Sequence, residues 1–150
     1  MLRLFVLSFL AVAPVRVLGQ CTLLVSPDGP DTIQDAVDAA VDGDIICLED
    51  GTFTGVGNRD IDFRGKAITI RSQSGDPEAC VIDAAGEAGS PHRAFQFSNG
   101  EGPGSVLEDV TLTGGYSEGS RWGGYGGGHS VHHLLANSSQ PQVGVQSGGP

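Results

Sequence analysis

The 150-residue chain has no long hydrophobic run and is poor in basic residues. Its longest apolar stretch covers residues 4–13 and includes Ser8, whereas a helix needs about 20 apolar residues to cross a bilayer. The chain carries 8 Lys and Arg against 18 Asp and Glu, which gives a formal net charge of −10. We therefore expect no membrane span and no nucleic-acid partner, because nucleic-acid-binding proteins present basic patches.

Residues 1–19 have the pattern of a secretory signal peptide. Arg3 gives a positive start, residues 4–13 form the apolar segment, and Val17 and Gly19 lie at the −3 and −1 positions of a cleavage site. Cleavage there would leave 131 residues with a formal charge of −12, because Arg3 and Arg16 leave and all 18 acidic residues stay. We expect the mature chain to be secreted, periplasmic or on the cell surface.

The three cysteines, Cys21, Cys47 and Cys80, have no CxxC spacing and no other spacing typical of a zinc site. Disulfides persist in exported proteins, but an odd number of cysteines leaves at least one thiol outside any intrachain pair. We interpret the cysteines as small buried residues with at most one disulfide.

One helix is predicted over residues 32–42. Asp31 is the expected N-cap, with Gln34 three residues later, and Gly43 is the expected stop. Five apolar residues recur at helical spacing and predict a single buried face: Ile33, Ala36, Val37, Ala40 and Val41.

The rest of the chain is predicted to be β-structure. Seven short runs rich in β-formers lie at 45–48, 52–54, 61–63, 67–71, 80–83, 94–97 and 110–113, with Gly, Asn, Asp and Pro between them. No helical pattern separates these runs, so a doubly wound α/β sheet is not expected. A β-sandwich and a parallel β-helix both remain open, and the 22-residue spacing from Ile46 to Ile68 slightly favours the β-helix.

Four segments resemble the right-handed parallel β-helix proteins of the pectin-lyase-like superfamily. Residues 32–53 (TIQDAVDAAVDGDIICLEDGTF) are similar to the capping helix and first strand of that family. Residues 66–72 (KAITIRS), 81–83 (VID) and 107–115 (LEDVTLTGG) are similar to its later strands, in the same order. The resemblance covers roughly residues 23–128.

The resemblance implies an all-β fold: a right-handed parallel β-helix, incomplete at two to three coils, with an N-terminal α-helical cap. We expect this β-helix domain over residues 20–128. Residues 129–150 contain no Asp, Glu, Lys or Arg, and we predict a low-complexity, disordered tail. The family pattern stops near residue 129, where we expect a shifted or truncated reading frame.

Asp42, Asp44, Glu49 and Asp50 surround the first predicted strand of this pattern, and they are weak candidates for a Ca²⁺ site. The alternative is that these carboxylates form turns and keep the surface soluble. No cofactor is predicted apart from this possible Ca²⁺.

No catalytic residue is predicted. Lyases and hydrolases of the family use carboxylates on stacked strands, usually in later coils than this chain reaches. Asp60 and Asp62 lie two apart beside Arg59 and Arg64, and Glu108 precedes Asp109, but no diagnostic motif surrounds either group. We interpret them as solvated charges in turns.

Three further groups of residues are open to more than one interpretation. His129, His132 and His133 are potential ligands of a transition metal, although adventitious binding is the simpler expectation. Tyr116, Trp122 and Tyr125 either stack on a sugar or cover a strand end. Asn137 begins a glycosylation sequon, a motif that is frequent by chance.

These observations predict a secreted or cell-surface module, without catalytic activity, that binds extracellular polysaccharide or a surface protein. The alternative is the N-terminal portion of a polysaccharide lyase or glycoside hydrolase whose catalytic coils are missing. Stacked acidic residues with a Lys or Arg further along would favour the enzyme. Plain repeated coils with an anchor would favour the binding module.

Overall fold

A computed structural model describes residues 19–116 and the backbone of residues 129–135. The predicted signal peptide, except for Gly19, lies outside the described residues. In chain order the elements are β1 (Leu23–Val25), α1 (Ile33–Ala39), β2 (Ile45–Leu48), β3 (Gly51–Thr54), β4 (Ile61–Asp62), β5 (Thr69–Ser72), β6 (Cys80–Asp83), β7 (Phe95–Gln96), β8 (Val106–Thr113) and β9 (His129–Leu135).

Seven strands form one mixed sheet. Six of them follow the order β1-β2-β5-β8-β6-β3, and every neighbouring pair in this path is parallel. Strand β9 pairs antiparallel with β8, and β4 and β7 form a separate parallel pair. Residues 129–135, at the start of the predicted low-complexity tail, are therefore part of the sheet.

Strand β8 joins the paired strands β2 and β5 to the paired strands β3 and β6, because it bends at Asp109. The first half of β8 pairs with β5 and the second half with β6. Asp109 has a φ of 50°, in the left-handed region, and this shifts the in–out alternation of the strand by one residue. Leu107 and Val110 are both fully buried as a result, although they are three residues apart.

The predicted all-β right-handed parallel β-helix is wrong. The continuous β8 joins the β2–β5 and β3–β6 ladders into a single sheet, and β9 adds an antiparallel strand to it. Together with helix α1 between β1 and β2, this sheet is closer to an α/β arrangement than to stacked coils. The short strand runs and their spacing could not predict this single sheet. The sequence pattern indicates a strand only over residues 110–113, preceded by a loop, whereas β8 begins at Val106.

Helix α1 is shorter than predicted, and its N-cap is Thr32 rather than Asp31. The Thr32 hydroxyl accepts a hydrogen bond from the Asp35 amide, and the Asp35 carboxylate accepts one from the Thr32 amide. The capping box is thus shifted by one residue from the predicted pair. The helix ends at Ala39, and Ala40 is its extended C-cap.

Lys66 closes the C-terminal end of α1. Its Nζ donates hydrogen bonds to the carbonyl oxygens of Val37, Asp38 and Ala40, at 2.7, 2.9 and 2.8 Å. A positive charge at this end is favourable because it neutralises the unpaired carbonyl groups of the helix.

The buried face of α1 differs from the predicted one at a single position. Ile33, Ala36, Val37 and Ala40 are buried as predicted, but Val41 is 57% exposed. The helical spacing that placed Val41 on the buried face ends at Ala39, so the residue no longer follows it. Val37, which is completely buried, belongs to the main hydrophobic core.

Gln34 places a side-chain amide against the edge of β4. Its Nε2 donates to the Asp62 carbonyl at 3.2 Å, and its Oε1 accepts from the Asp62 amide at 2.8 Å. The two backbone groups of Asp62 are thereby paired as they would be by a neighbouring strand.

Three phenylalanine rings fill the space next to β4 and β7. The Phe63 ring centroid lies 5.8 Å from that of Phe95 and 5.0 Å from that of Phe97. Phe63 is fully buried, and the other two rings pack against the core from its margin. This cluster packs the β4–β7 pair against the hydrophobic core.

Ala85 provides a test of the strained turn that follows β6. It is exposed and has a φ of 47°, where a Cβ atom is unfavourable. We expect Ala85→Gly to raise the free energy of unfolding by about 0.5–1 kcal/mol, as measured by urea denaturation. The neighbouring Ala84→Gly is the matched control: Ala84 is fully buried, so its replacement should lower stability by about 1–2 kcal/mol. A loss of stability in Ala85→Gly would contradict the prediction.

Candidate functional site

Three side chains form a hydrogen-bonded chain beyond the end of β6. His92 Nδ1 lies 2.6 Å from Asp60 Oδ2, and His92 Nε2 lies 3.2 Å from Ser90 Oγ. An ionised carboxylate can only accept hydrogen bonds, so Nδ1 of His92 carries a proton. In the neutral imidazole Nε2 is then the acceptor, and the Ser90 hydroxyl donates to it. We call this group the Ser90–His92–Asp60 relay.

Backbone contacts hold Asp60 in place. Its φ of 52° turns the chain just before β4, and its amide donates to the Arg93 carbonyl at 2.6 Å. The Arg93 amide donates in return to Asp60 Oδ1 at 3.0 Å. The carboxylate therefore binds the backbone with one oxygen and His92 with the other.

These contacts lower the pKa of Asp60. Burial by itself raises that pKa, but the hydrogen bonds from the Arg93 amide and His92 and the nearby positive charges outweigh the burial and hold it below the ordinary value. The carboxylate is therefore ionised at neutral pH and can orient the imidazole.

A tight loop holds Ser90 and His92 beside the sheet. Glu87 and Ser90 form an antiparallel bridge in which each amide donates to the other's carbonyl at 3.0 Å. Gly86 lies under this loop, where an added Cβ would stand 2.8 Å from the carbonyl oxygen of His92. The side chains of His92 and Asp60 remain 23% and 41% exposed, so the relay is open to solvent.

A second feature is the outward side of strands β3, β6 and β8, which we call the outer face. Six residues in two columns and three rows form it: Thr52, Thr54, Val81, Asp83, Thr111 and Thr113. Thr52 and Thr54 are exposed, and the others are half-buried. Neighbouring rows lie about 4.8 Å apart and the columns about 6.6 Å apart, as the spacing of strands and alternate residues requires.

The four predicted calcium ligands are not brought together. Asp42 accepts a hydrogen bond from the Ala67 amide, Asp44 from the Val41 amide, and Asp50 from the Ser74 hydroxyl. The four residues of β2 separate the first two carboxylates from Glu49 and Asp50. Among the described residues no group of three or more His, Cys, Asp or Glu has a geometry suited to a metal ion.

Asp60 and Asp62 bind different partners. Asp62 accepts hydrogen bonds from the Asn99 side chain at 2.7 and 2.8 Å and from the Arg64 amide at 2.7 Å. Arg64 pairs instead with Asp38, with 2.6 Å between Nε and Oδ1. Asp62 therefore orders two turns, whereas Asp60 belongs to the relay.

Glu108 lies in register with Arg71 of β5, and Asp109 forms the bend of β8. Tyr116 donates its amide to the His92 carbonyl at 2.8 Å, beside the relay. Trp122, Tyr125 and the Asn137 sequon lie outside the described residues, as do the side chains of His129, His132 and His133.

Sequence reasoning missed two members of the relay. Ser90 and His92 lie in a loop rich in Gly, Ala and Pro, and Asp60 is 32 residues from His92. No motif spacing connects them, because the two loops are brought together by the parallel pairing of β4 with β7. Only Asp60 was singled out, for its proximity to Asp62.

No family model matches the chain, and neither a curated protein nor a solved structure matches it. No helix in the described part of the chain is both long and apolar enough to cross a bilayer.

Proposed function

We propose that this protein is a secreted or cell-surface module that binds a neutral extracellular glycan on its outer face. The observation that carries the proposal is the regular array of four threonines, Val81 and Asp83 on three paired strands. Sheet hydrogen bonds hold each of these side chains at a fixed spacing, so little conformational freedom is lost on binding.

The chemistry of the outer face suits a polyhydroxylated ligand. Each threonine hydroxyl both donates and accepts hydrogen bonds, and the threonine methyl groups and Val81 offer small apolar patches between them. A sugar ring likewise presents hydroxyl groups at its edge and C–H groups on its face. The side chains of three neighbouring strands line up along the face, which fits an extended chain better than a compact small molecule.

Charge favours a neutral glycan over an acidic one. The chain has a formal charge of −10, and Asp83 places one carboxylate on the outer face itself. A polyuronate would be repelled unless cations bridged the two surfaces.

The Cys21–Cys47 disulfide supports an exported location. Disulfides form and persist outside the reducing cytosol, and this one agrees with the secretory pattern of residues 1–19. The secreted location remains part of the proposal.

Affinity electrophoresis in gels containing neutral β-glucan, xylan or polygalacturonate tests the proposal. We expect retardation by a neutral glycan and none by polygalacturonate. Thr54→Ala combined with Thr113→Ala removes two hydroxyls from one column of the face. At about 1 kcal/mol for each hydrogen bond, the apparent Kd should rise about 30-fold.

Thr69→Ala is the matched control, because Thr69 is a half-buried strand threonine that pairs with Ile45 and Val106 and is not part of the outer face. It should bind like the parent chain. Equal binding by the double variant, or binding of polygalacturonate alone, would refute the proposal.

A further inference from the structure

The Ser90–His92–Asp60 relay has the connectivity that activates a serine as a nucleophile. A carboxylate fixes the imidazole tautomer, and the free ring nitrogen accepts the hydroxyl proton of the serine. The distances of 2.6 and 3.2 Å are within the range in which these proton transfers occur. The arrangement is recognised by geometry alone, because such triads occur in different chain orders on unrelated folds.

We propose that Ser90 is the nucleophile of an acyl-transfer site that takes small neutral esters. His92 serves as the general base, and Asp60 is a positioning residue that acts through His92. This inference does not depend on glycan binding by the outer face.

The reaction would proceed in two balanced steps. Ser90 Oγ bonds to the acyl carbon while its proton moves to His92 Nε2, and the bond from that carbon to the alcohol oxygen breaks as the alcohol takes the proton from His92. Water then attacks the acyl-serine by the same route, which releases the acid and restores the serine hydroxyl. No redox partner or metal is required for either step.

The surroundings of the relay favour an accessible and uncharged acyl group. An added Cβ on Gly89, next to Ser90, would meet no atom within 4 Å, so the space beside that residue of the loop is open. Asp60 and Glu87 lie near the loop, and their negative charge disfavours an anionic acyl group. An acetyl ester of a neutral alcohol fits these conditions.

A fluorophosphonate probe on the full chain tests the nucleophile directly. We expect one adduct per chain, located at Ser90 by peptide mass spectrometry and absent in Ser90→Ala. The same protein should release nitrophenol from nitrophenyl acetate, and an acetyl group should be found on Ser90 when the reaction is quenched early.

Two further variants separate activation from simple exposure. His92→Gln should lower the maximum labelling rate at least 100-fold, the lower end of the usual contribution of a general base. Asp60→Asn should lower that maximum rate without changing the probe concentration that gives half of it, because Asp60 does not touch the probe. The control is Ser74→Ala: Ser74 is exposed and donates to Asp50 at 2.6 Å but has no histidine partner, so its loss should change nothing.

Absence of an adduct at Ser90 in the parent chain would overturn the proposal. Equal labelling of several serines would also overturn it. So would a labelling rate equal to the parent's in His92→Gln or Asp60→Asn, provided that the variant has the same melting temperature as the parent. Each variant is therefore checked by thermal denaturation before its rate is compared.

Discussion

Replacing Val37 with aspartate is expected to lower the free energy of unfolding by at least about 3 kcal/mol, through the loss of core packing and the burial of an unpaired carboxylate. Val37 has no exposed surface and packs in the main core. Lys66, whose Nζ donates to the Val37 carbonyl, makes three such bonds at the end of α1 and has no hydrogen left for a carboxylate. Urea denaturation followed by circular dichroism measures the effect.

Val41→Asp is the matched control, because the same change is made four residues later at a side chain that is 57% exposed. Its effect should remain below about 1 kcal/mol, most of it repulsion from Asp42 and Asp44. Equal losses in the two variants would show that the helix face does not contribute to the core as described.

Removal of the Cys21–Cys47 disulfide is expected to cost about 3.5 kcal/mol, because the bond closes a loop with a sequence separation of 26 residues. The bond also attaches the chain just before β1 to the middle of β2. The variant is Cys21→Ala with Cys47→Ala, and the free energy of unfolding is measured with and without reductant.

Reductant should destabilise the parent chain and leave the double variant unchanged. Cys80 provides an internal control: burial, with the charge of Asp50 adding to it, raises the pKa of its thiol to about 12. At mildly alkaline pH the folded chain should therefore be alkylated at Cys80 on the order of a thousandfold more slowly than a thiol with the ordinary value of 9.0. Rapid alkylation of Cys80 in the native state would contradict its burial.

The sequence was sufficient to predict most local elements. The runs at 45–48 and 80–83 are strands with the predicted bounds, since both are short runs of apolar and β-branched residues beside turn-forming residues. Helix α1 was also predicted, although Thr32 outcompetes Asp31 as N-cap because its hydroxyl reaches the Asp35 amide. These features depend on residues within a few positions of each other.

The arrangement of the strands could not be predicted in the same way. Strand β1 has only three residues, and its pairing with β2 depends on a partner more than 20 residues away. The family resemblance led to a β-helix, whereas a single left-handed residue, Asp109, lets β8 pair with two strands in turn. The relay depends on the same long-range pairing, so its histidine and serine had no local signal.

The contact between Gln34 and Asp62 has a consequence for how copies of this chain can meet. An uncovered strand edge invites another chain to pair with it. Here the amide of one side chain already occupies the two groups that a foreign strand would need. Addition at this edge requires Gln34 to release both groups first, so a foreign strand competes with an intramolecular contact that is present at any protein concentration.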